Sequence, residues 1–247
     1  MSQAIIVTGA DFTGKGLGRS LRLTSDRTNL MGEFILGRNQ ATSIFNSAYD
    51  GAPNAVAFGT LTYSDHYANP AGANYFRTPI QTAQNMTMLA VVAPGATATS
   101  EIYVSSSSGN GSNGYFLAGG LSTTKAGLST TTSAGATQQV LLVGDQSTPL
   151  TDFRAIAGRI GGLSNWSLEI DEFKGGQRVQ SNASTATGTR TVDSQVFCIG
   201  SIGGSATFNS AKDTAAVLLW HRLLTDQELL DAYLECRTVL GRMGITC

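Results

Sequence analysis

Residues Ala215-Ala216-Val217-Leu218-Leu219-Trp220-His221 form an apolar run that turns through Arg222-Leu223-Leu224 into a marked helix start. Thr225 is a natural N-cap and Glu228 follows three residues on, so hydroxyl and carboxylate can each satisfy a free backbone N–H in a capping box. Leu224 and Leu229 flank that cap at the positions of a hydrophobic staple. Apolar residues recur at Leu229, Tyr233, Cys236 and Leu240, the spacing of one buried helical stripe, and Gly241 is the expected stop. A strand and then one helix close the chain.

Everything before this ending reads as β. Short apolar runs, Asn54 to Phe58, Met86 to Ala93, Ile102 to Val104, Tyr115 to Ala118 and Gln139 to Val143, are separated by turn clusters, which is the mark of a sandwich or barrel. Met88 to Val92 is apolar in both phases, as in a strand covered on both sides. Leu168 and Ile170 alternate with Glu169 and Asp171, which predicts a strand with one wet face. The Ser/Gly/Thr-rich stretches Ser105 to Gly114, Ser122 to Thr137 and Ser181 to Arg190 lie between strands and read as hairpin loops or hydroxyl-rich strands. No repeat of solenoid or propeller period is present.

Composition narrows the function. In 247 residues no charged or Pro-rich linker divides the chain, so one domain is expected. Charged residues make up 13%, below the roughly 25% typical of soluble proteins, and the net charge of -1 argues against nucleic-acid binding, which needs a basic face. No apolar run approaches the roughly 20 residues of a membrane span. Met1 to Val7 lacks the pattern of a signal peptide, so folding in a cytoplasm is expected. The three cysteines suggest neither a disulfide framework nor a zinc site. Cys198 and Cys236 read as buried hydrophobes, Cys247 as exposed and chemically incidental.

Residues 1–25 differ from the domain that follows, 26–247. Ile5, Ile6 and Val7 suit a short strand, and Thr8 to Ser20 is Gly-rich. With Phe12 and Leu17 these side chains would be apolar liabilities on a free monomer, so the segment is expected to be an attachment arm ordered against a neighbour. Gly9-Ala10-Asp11-Phe12-Thr13-Gly14-Lys15-Gly16 matches a phosphate-binding loop except at Gly16, where the Mg²⁺-binding hydroxyl would stand, and no helix pattern follows.

Chemistry-bearing groups are sparse. Glu169-Ile170-Asp171-Glu172-Phe173 is similar to the strand by which some jelly-roll glycosidases present two carboxylates about 5 to 5.5 Å apart, but Glu172 is at i+3 and falls on the opposite face from Glu169. Glu169 and Asp171 remain the one same-face pair a hydrolase could use. No Ser lies in a nucleophile elbow, no calcium loop is present, and no metal or cofactor is expected. His221, beside Trp220, reads as structural. The loop Tyr63-Ser64-Asp65-His66-Tyr67-Ala68-Asn69-Pro70 is polar and aromatic, the kind of surface a saccharide requires, and it nominates Tyr63, Asp65, His66, Tyr67 and Asn69 as ligand residues. Trp166, after Gly161-Gly162 and beside Asn165, is a further candidate; the bland alternative is that these rings anchor loops.

Asp213 to Leu230, DTAAVLLWHRLLTDQELL, resembles the final strand and closing helix of concanavalin A-like (laminin-G-like) jelly-roll domains. Tyr75 to Pro79 followed by Met86 to Pro94 resembles that family's edge strand and long core strand. Phe153 to Ile160, Ser167 to Phe173 and Val196 to Gly203 resemble its later strands. The resemblance spans about Asp26 to Gly244. It implies an all-β fold, a two-sheet antiparallel jelly-roll sandwich with one short C-terminal helix and an extended N-terminal arm. Thr8 to Gly18 ahead of such a domain looks like bacteriophage structural proteins. The implied function is a virion protein of the tail fibre, tail tip or baseplate whose lectin-like domain recognises a host-surface glycan. Its implied partners are other virion proteins and itself, a trimer in a fibre setting. A capsid decoration protein without ligand and a glycoside hydrolase using Glu169 and Asp171 are the alternatives.

Overall fold

The computed structural model describes residues 27–93, 101–106, 114–121, 124–131, 137–143, 152–190, 192, 194–203, 210 and 212–247. The arm, with Ile5, Ile6, Val7, Phe12 and Leu17, lies outside them. In chain order the elements are β1 (Leu30–Ile35), α1 (Gln40–Ser43), β2 (Val56–Phe58), β3 (Thr62–Tyr63), β4 (Ala68–Asn69), β5 (Tyr75–Gln81), β6 (Met86–Ala93) and β7 (Glu101–Ser105). There follow β8 (Tyr115–Leu121), β9 (Thr124–Thr131), β10 (Thr137–Val143), β11 (Arg154–Gly161), β12 (Asn165–Lys174), β13 (Gln177–Thr187), β14 (Val196–Ile199), β15 (Asp213–Trp220) and α2 (Asp226–Arg242).

The strands form two antiparallel sheets, a jelly-roll-like sandwich. One is eight-stranded in the order β13-β12-β11-β6-β15-β4-β3, with β1 also paired to β15. The other is seven-stranded in the order β10-β9-β8-β7-β14-β5-β2. The doubly apolar run of β6 is central, between β11 and β15, and wholly buried. Its Met86, Met88, Ala90 and Val92 join the core between the sheets, while Leu89 and Val91 join a second core beneath α2.

That second core is what the closing helix covers. Thr225 and Glu228 form the expected capping box, and Leu229, Ala232, Tyr233, Cys236, Val239 and Leu240 are buried. Burying each large apolar side chain contributes about 1.5–3 kcal/mol. The helix does not stop at Gly241. It runs through it to Arg242, and Gly244 at φ +88 ends it, with Ile245 N–H donating to Leu240 O (3.0 Å) and Gly244 N–H to Gly241 O (3.1 Å), a Schellman motif.

Other expectations are corrected by this cover. The alternating face of β12 is wet only in part: Glu169 is half-exposed, whereas Asp171 and Phe173 lie beneath α2 and Asp171 is fully buried. Cys247 is not exposed. It is 2% accessible and joins the same core as Cys236, with Arg237 Nε donating to its carbonyl at 2.8 Å. Tyr75 to Pro79 is not a free edge, because β2 pairs Tyr75, Phe76 and Arg77; only the part of β5 beyond Arg77, which includes Pro79, extends past β2. A turn of helix, α1, with an Asn39 capping box, is a second helical element besides the closing one. His221 is structural as read, its Nε2 2.8 Å from Gln81 O and its N–H donating to Asn29 O. No helix is long and apolar enough to cross a membrane among the described residues.

Candidate functional site

The nominated loop is a tight hairpin at one edge of the eight-stranded sheet, where Thr62 opposes Asn69 and Tyr63 opposes Ala68. Ser64 shapes it: its hydroxyl accepts from the N–H groups of His66 and Tyr67 (both 3.1 Å), and its own N–H donates to Tyr67 O. The side chains then part to opposite faces. Tyr63 turns toward the inter-sheet core beside Phe76, ring centroids 6.4 Å apart, and burial pushes its phenol pKa up. Tyr67 packs on Phe153 at the second core. Asn69 Nδ2 donates to Asp213 Oδ1 at 2.9 Å. Asp65 is exposed, and His66 is half-buried with Nδ1 enclosed and without a hydrogen-bond partner among the described residues.

Trp166 belongs to a different place. It sits on β12, next to the opposite edge of the same sheet, so the structure does not bring it together with the hairpin. Its ring is 1% accessible, inside the inter-sheet core, and offers no face for a sugar to stack on. Around it Asn165, Ser167, Thr185, Ala186 and Thr187 line a shallow depression of about 310 Å³. Below, the buried Arg190 donates from Nε and NH2 to Gly162 O and reaches Tyr115 Oη and Gln84 O. Its guanidinium lies 5.1 Å from the Tyr115 ring centroid.

The acidic strand carries an ionic clamp. Arg159 holds Glu169 (2.8 Å), Asp171 (3.0 Å) and Asp226 (2.7 Å), and Arg178 holds Asp171 (3.3 Å) and Asp226 (2.9 Å). Hydrogen bonding from Arg159 holds the Asp226 carboxyl below its ordinary range. Glu172 faces the opposite way, as the strand phase predicts, and pairs with Arg154 inside the sandwich. Also buried in the sandwich, Lys212 has its ammonium pushed down to about 8 by burial against the pull of Glu101. Neither Glu169 nor Asp171 stands free in a groove. Among the described residues no cluster of His, Cys, Asp and Glu could hold a metal ion.

A surface missed at the level of sequence lies on the outer face of the seven-stranded sheet. Phe58 on β2 directly opposes Tyr75 on β5, and their rings stack with centroids 4.9 Å apart and planes within 8°. Phe58 is 38% and Val56 56% exposed. Arg77, opposite Val56 and two residues from Tyr75, shares that face, is exposed, and makes no ion pair among the described residues. The pair is held in register by the turn after β2. There Gly59 at φ +70 packs against Asn74, whose Oδ1 accepts from Thr60 N–H at 2.8 Å. The period-two pattern of Val56/Phe58 and Tyr75/Arg77 is visible in the sequence. That this phase faces outward is not, because it depends on which core the strands join.

Comparison with known proteins places the fold. The sequence matches no family model and no curated protein. Solved structures do match. The receptor binding domain of botulinum neurotoxin C/D mosaic serotype shares 8% identity at TM-score 0.60, over 84% of this chain and 51% of that one. The botulinum neurotoxin type G receptor binding domain shares 10% at TM-score 0.58, over 83% and 51%. The binding domain of botulinum neurotoxin DC, in complex with SialylT, shares 8% at TM-score 0.55, over 82% and 51%. The chain thus spans about half the length of each, and the likeness is one of fold, a two-sheet β-sandwich.

Proposed function

We propose that this chain is a non-catalytic glycan-recognition domain of a phage virion protein in the tail or fibre apparatus, which binds its receptor at the Phe58–Tyr75 platform. The observation that carries the recognition reading is the Phe58–Tyr75 stack beside Arg77, which makes no ion pair among the described residues. Aromatic faces contribute most to recognition where they are accessible, and here Phe58 is exposed and Tyr75 half-exposed. Two of the fold neighbours add support: the botulinum neurotoxin DC domain is in complex with SialylT, and type C cell entry depends on interaction with two ganglioside molecules. The virion setting rests on the likeness of Thr8 to Gly18 to phage structural proteins. Residues 1–25 are in this reading the attachment arm, with other virion proteins and further copies of the chain as partners.

The direct test is binding to a panel of bacterial surface polysaccharides. Tyr75→Ala and Phe58→Ala are expected to weaken binding about tenfold or more, the equivalent of about 1.4 kcal/mol. The hairpin is the second candidate, favoured by its exposed Asp65 and half-buried His66. Loss of binding in Asp65→Ala with Tyr75→Ala unaffected would move the site there. No binding to any member of the panel would favour the purely structural decoration role. Deleting residues 1–25 is expected to leave the sandwich folded while abolishing incorporation into particles.

A further inference from the structure

Beyond the Schellman turn the chain doubles back along α2. Gly244 reverses its direction, and Ile245 N–H donates to Leu240 O, which sets Ile245 level with the last turn of the helix. Ile245 and Cys247 are buried while Thr246 between them is exposed, the alternation of an extended segment with one face inward. Two extended residues advance about 7 Å, and a helix rises about 1.5 Å per residue. Cys247 is thus carried back from the level of Leu240 and Gly241 to that of Cys236. The contact found there agrees: Arg237, next to Cys236 in the helix, donates from Nε to Cys247 O at 2.8 Å. The two thiols also share a side. Cys236 is 0% and Cys247 2% accessible, and both belong to the core beneath α2. Burial raises the Cys236 thiol well above its ordinary pKa, and the nearby Cys247 raises it further. Cys198 lies apart, on β14 of the other sheet.

We infer that Cys236 and Cys247 are an oxidation site, a pair of thiols that closes to a disulfide across the Schellman turn and fastens residues 245–247 to α2. In this structure both are free thiols, the reduced state. The oxidant is a low-molecular-weight disulfide, RSSR. Residues 245–247 open locally to admit it, breaking the bonds at Leu240 O and Arg237. Cys247, the less buried of the two, reacts first. Its thiolate attacks one sulfur of RSSR, expels RS⁻ and becomes a mixed disulfide. The Cys236 thiol then gives its proton to RS⁻, attacks the Cys247 sulfur and expels the second thiolate. Two protein thiols and one RSSR become one protein disulfide and two RSH. The exchange is slow, because burial disfavours the thiolate, and the finished bond is sheltered from reductant by the same cover. It is absent from a chain held in a reducing compartment and gained in an oxidising one.

The test uses the full native chain, folded and reduced, incubated with oxidised glutathione at about pH 8.5, near the ordinary thiol pKa, then denatured and alkylated. Before alkylation the product is expected to be lighter by about 2 Da, the two hydrogens removed. It should then take up alkyl at Cys198 alone, and trypsin should release Leu223–Arg237 joined to Met243–Cys247. The linked chain is expected to melt several degrees above the reduced one, and Cys247→Ser to show no such rise with oxidant. If Cys198, Cys236 and Cys247 all remain alkylatable after an exposure that oxidises the same chain unfolded in urea, the inference is overturned. A linked chain that melts no higher than the reduced one overturns it too, because the bond would then not fit the fold. So does a lasting mixed disulfide at Cys247 without the joined peptides, which would put Cys236 out of reach. Glycan binding at Phe58 and Tyr75 is read in a separate assay and does not depend on any of these outcomes.

Discussion

Arg159 NH1 stands 2.7 Å from Asp226 Oδ1, so a cation on a strand of the eight-stranded sheet holds the first residue of α2. The same guanidinium donates to Leu224 O at 3.1 Å, the carbonyl just before the N-cap. Removing it would strand Asp171 without its closest partner under the helix. Arg159→Met is expected to destabilise the fold by about 3–5 kcal/mol, the cost of breaking a buried pair from one side. Urea denaturation measures it; a loss below about 1 kcal/mol would mean that Arg178 alone satisfies Asp171.

The two ends of α2 make separable contributions. Thr225→Ala removes the hydroxyl that accepts from Glu228 N–H and should cost about 0.5–2 kcal/mol. Gly244→Ala forces a side chain into the left-handed region and should cost about 1–2 kcal/mol. The sites share no partner, so the double variant should show the sum in thermal or chemical unfolding.

Lys212 makes stability depend on alkaline pH. Its folded value of about 8 lies below the roughly 10.4 of an unfolded lysine, so between those values the unfolded chain binds more protons and the contribution to stability rises with pH. The buried thiols of Cys198 and Cys247, pushed up to about 11, act in the opposite sense above about pH 8.5. Comparing the native chain with Lys212→Met cancels them. The difference in unfolding free energy should move in favour of the native chain from pH 8 to 10; a flat difference would contradict the buried, destabilised ammonium.

No glycosidase activity is expected. Retaining chemistry needs two available carboxylates about 5 to 5.5 Å apart, and here Glu169 and Asp171 are both held by Arg159 while Glu172 faces the interior. Release of reducing sugar from bacterial polysaccharides is the measurement. Turnover that vanishes in Glu169→Gln would restore the hydrolase reading.

The ending of the chain was legible because cap, staple and stripe are local signals, and each of Thr225, Glu228, Leu229, Tyr233, Cys236 and Leu240 does what its spacing implies. The doubly apolar phase of Met88 to Val92 likewise reported a strand with a core on each side. What could not be read was which surface a half-polar strand faces. Glu169 and Asp171 look like a wet face until α2, distant in sequence, is laid over Asp171 with Arg159 to neutralise it. The same gap concealed the Phe58–Tyr75 stack, since strands with alternating aromatics advertise a core more readily than a surface. Tyr63, Tyr67 and Trp166 drew attention as aromatics in polar, turn-rich stretches; in the fold Trp166 is buried, while Tyr63 and Tyr67 are partly buried against the two cores.

The pairing of Leu30 with Trp220 sets the order in which this domain can form. Strand β15 lies between β1 and β6, so the centre of the larger sheet is made by segments from the two ends of the described chain. Until Asp213 to Arg242 has been synthesised, Leu89 and Val91 have no helix over them and β6 lacks a neighbour. Closing so long a loop before any contact rewards it is slow. A nascent chain therefore carries a hydrophobic strand without its β15 and α2 cover until the last segment is made, and apolar surface exposed in this way is what makes partly folded chains prone to aggregate.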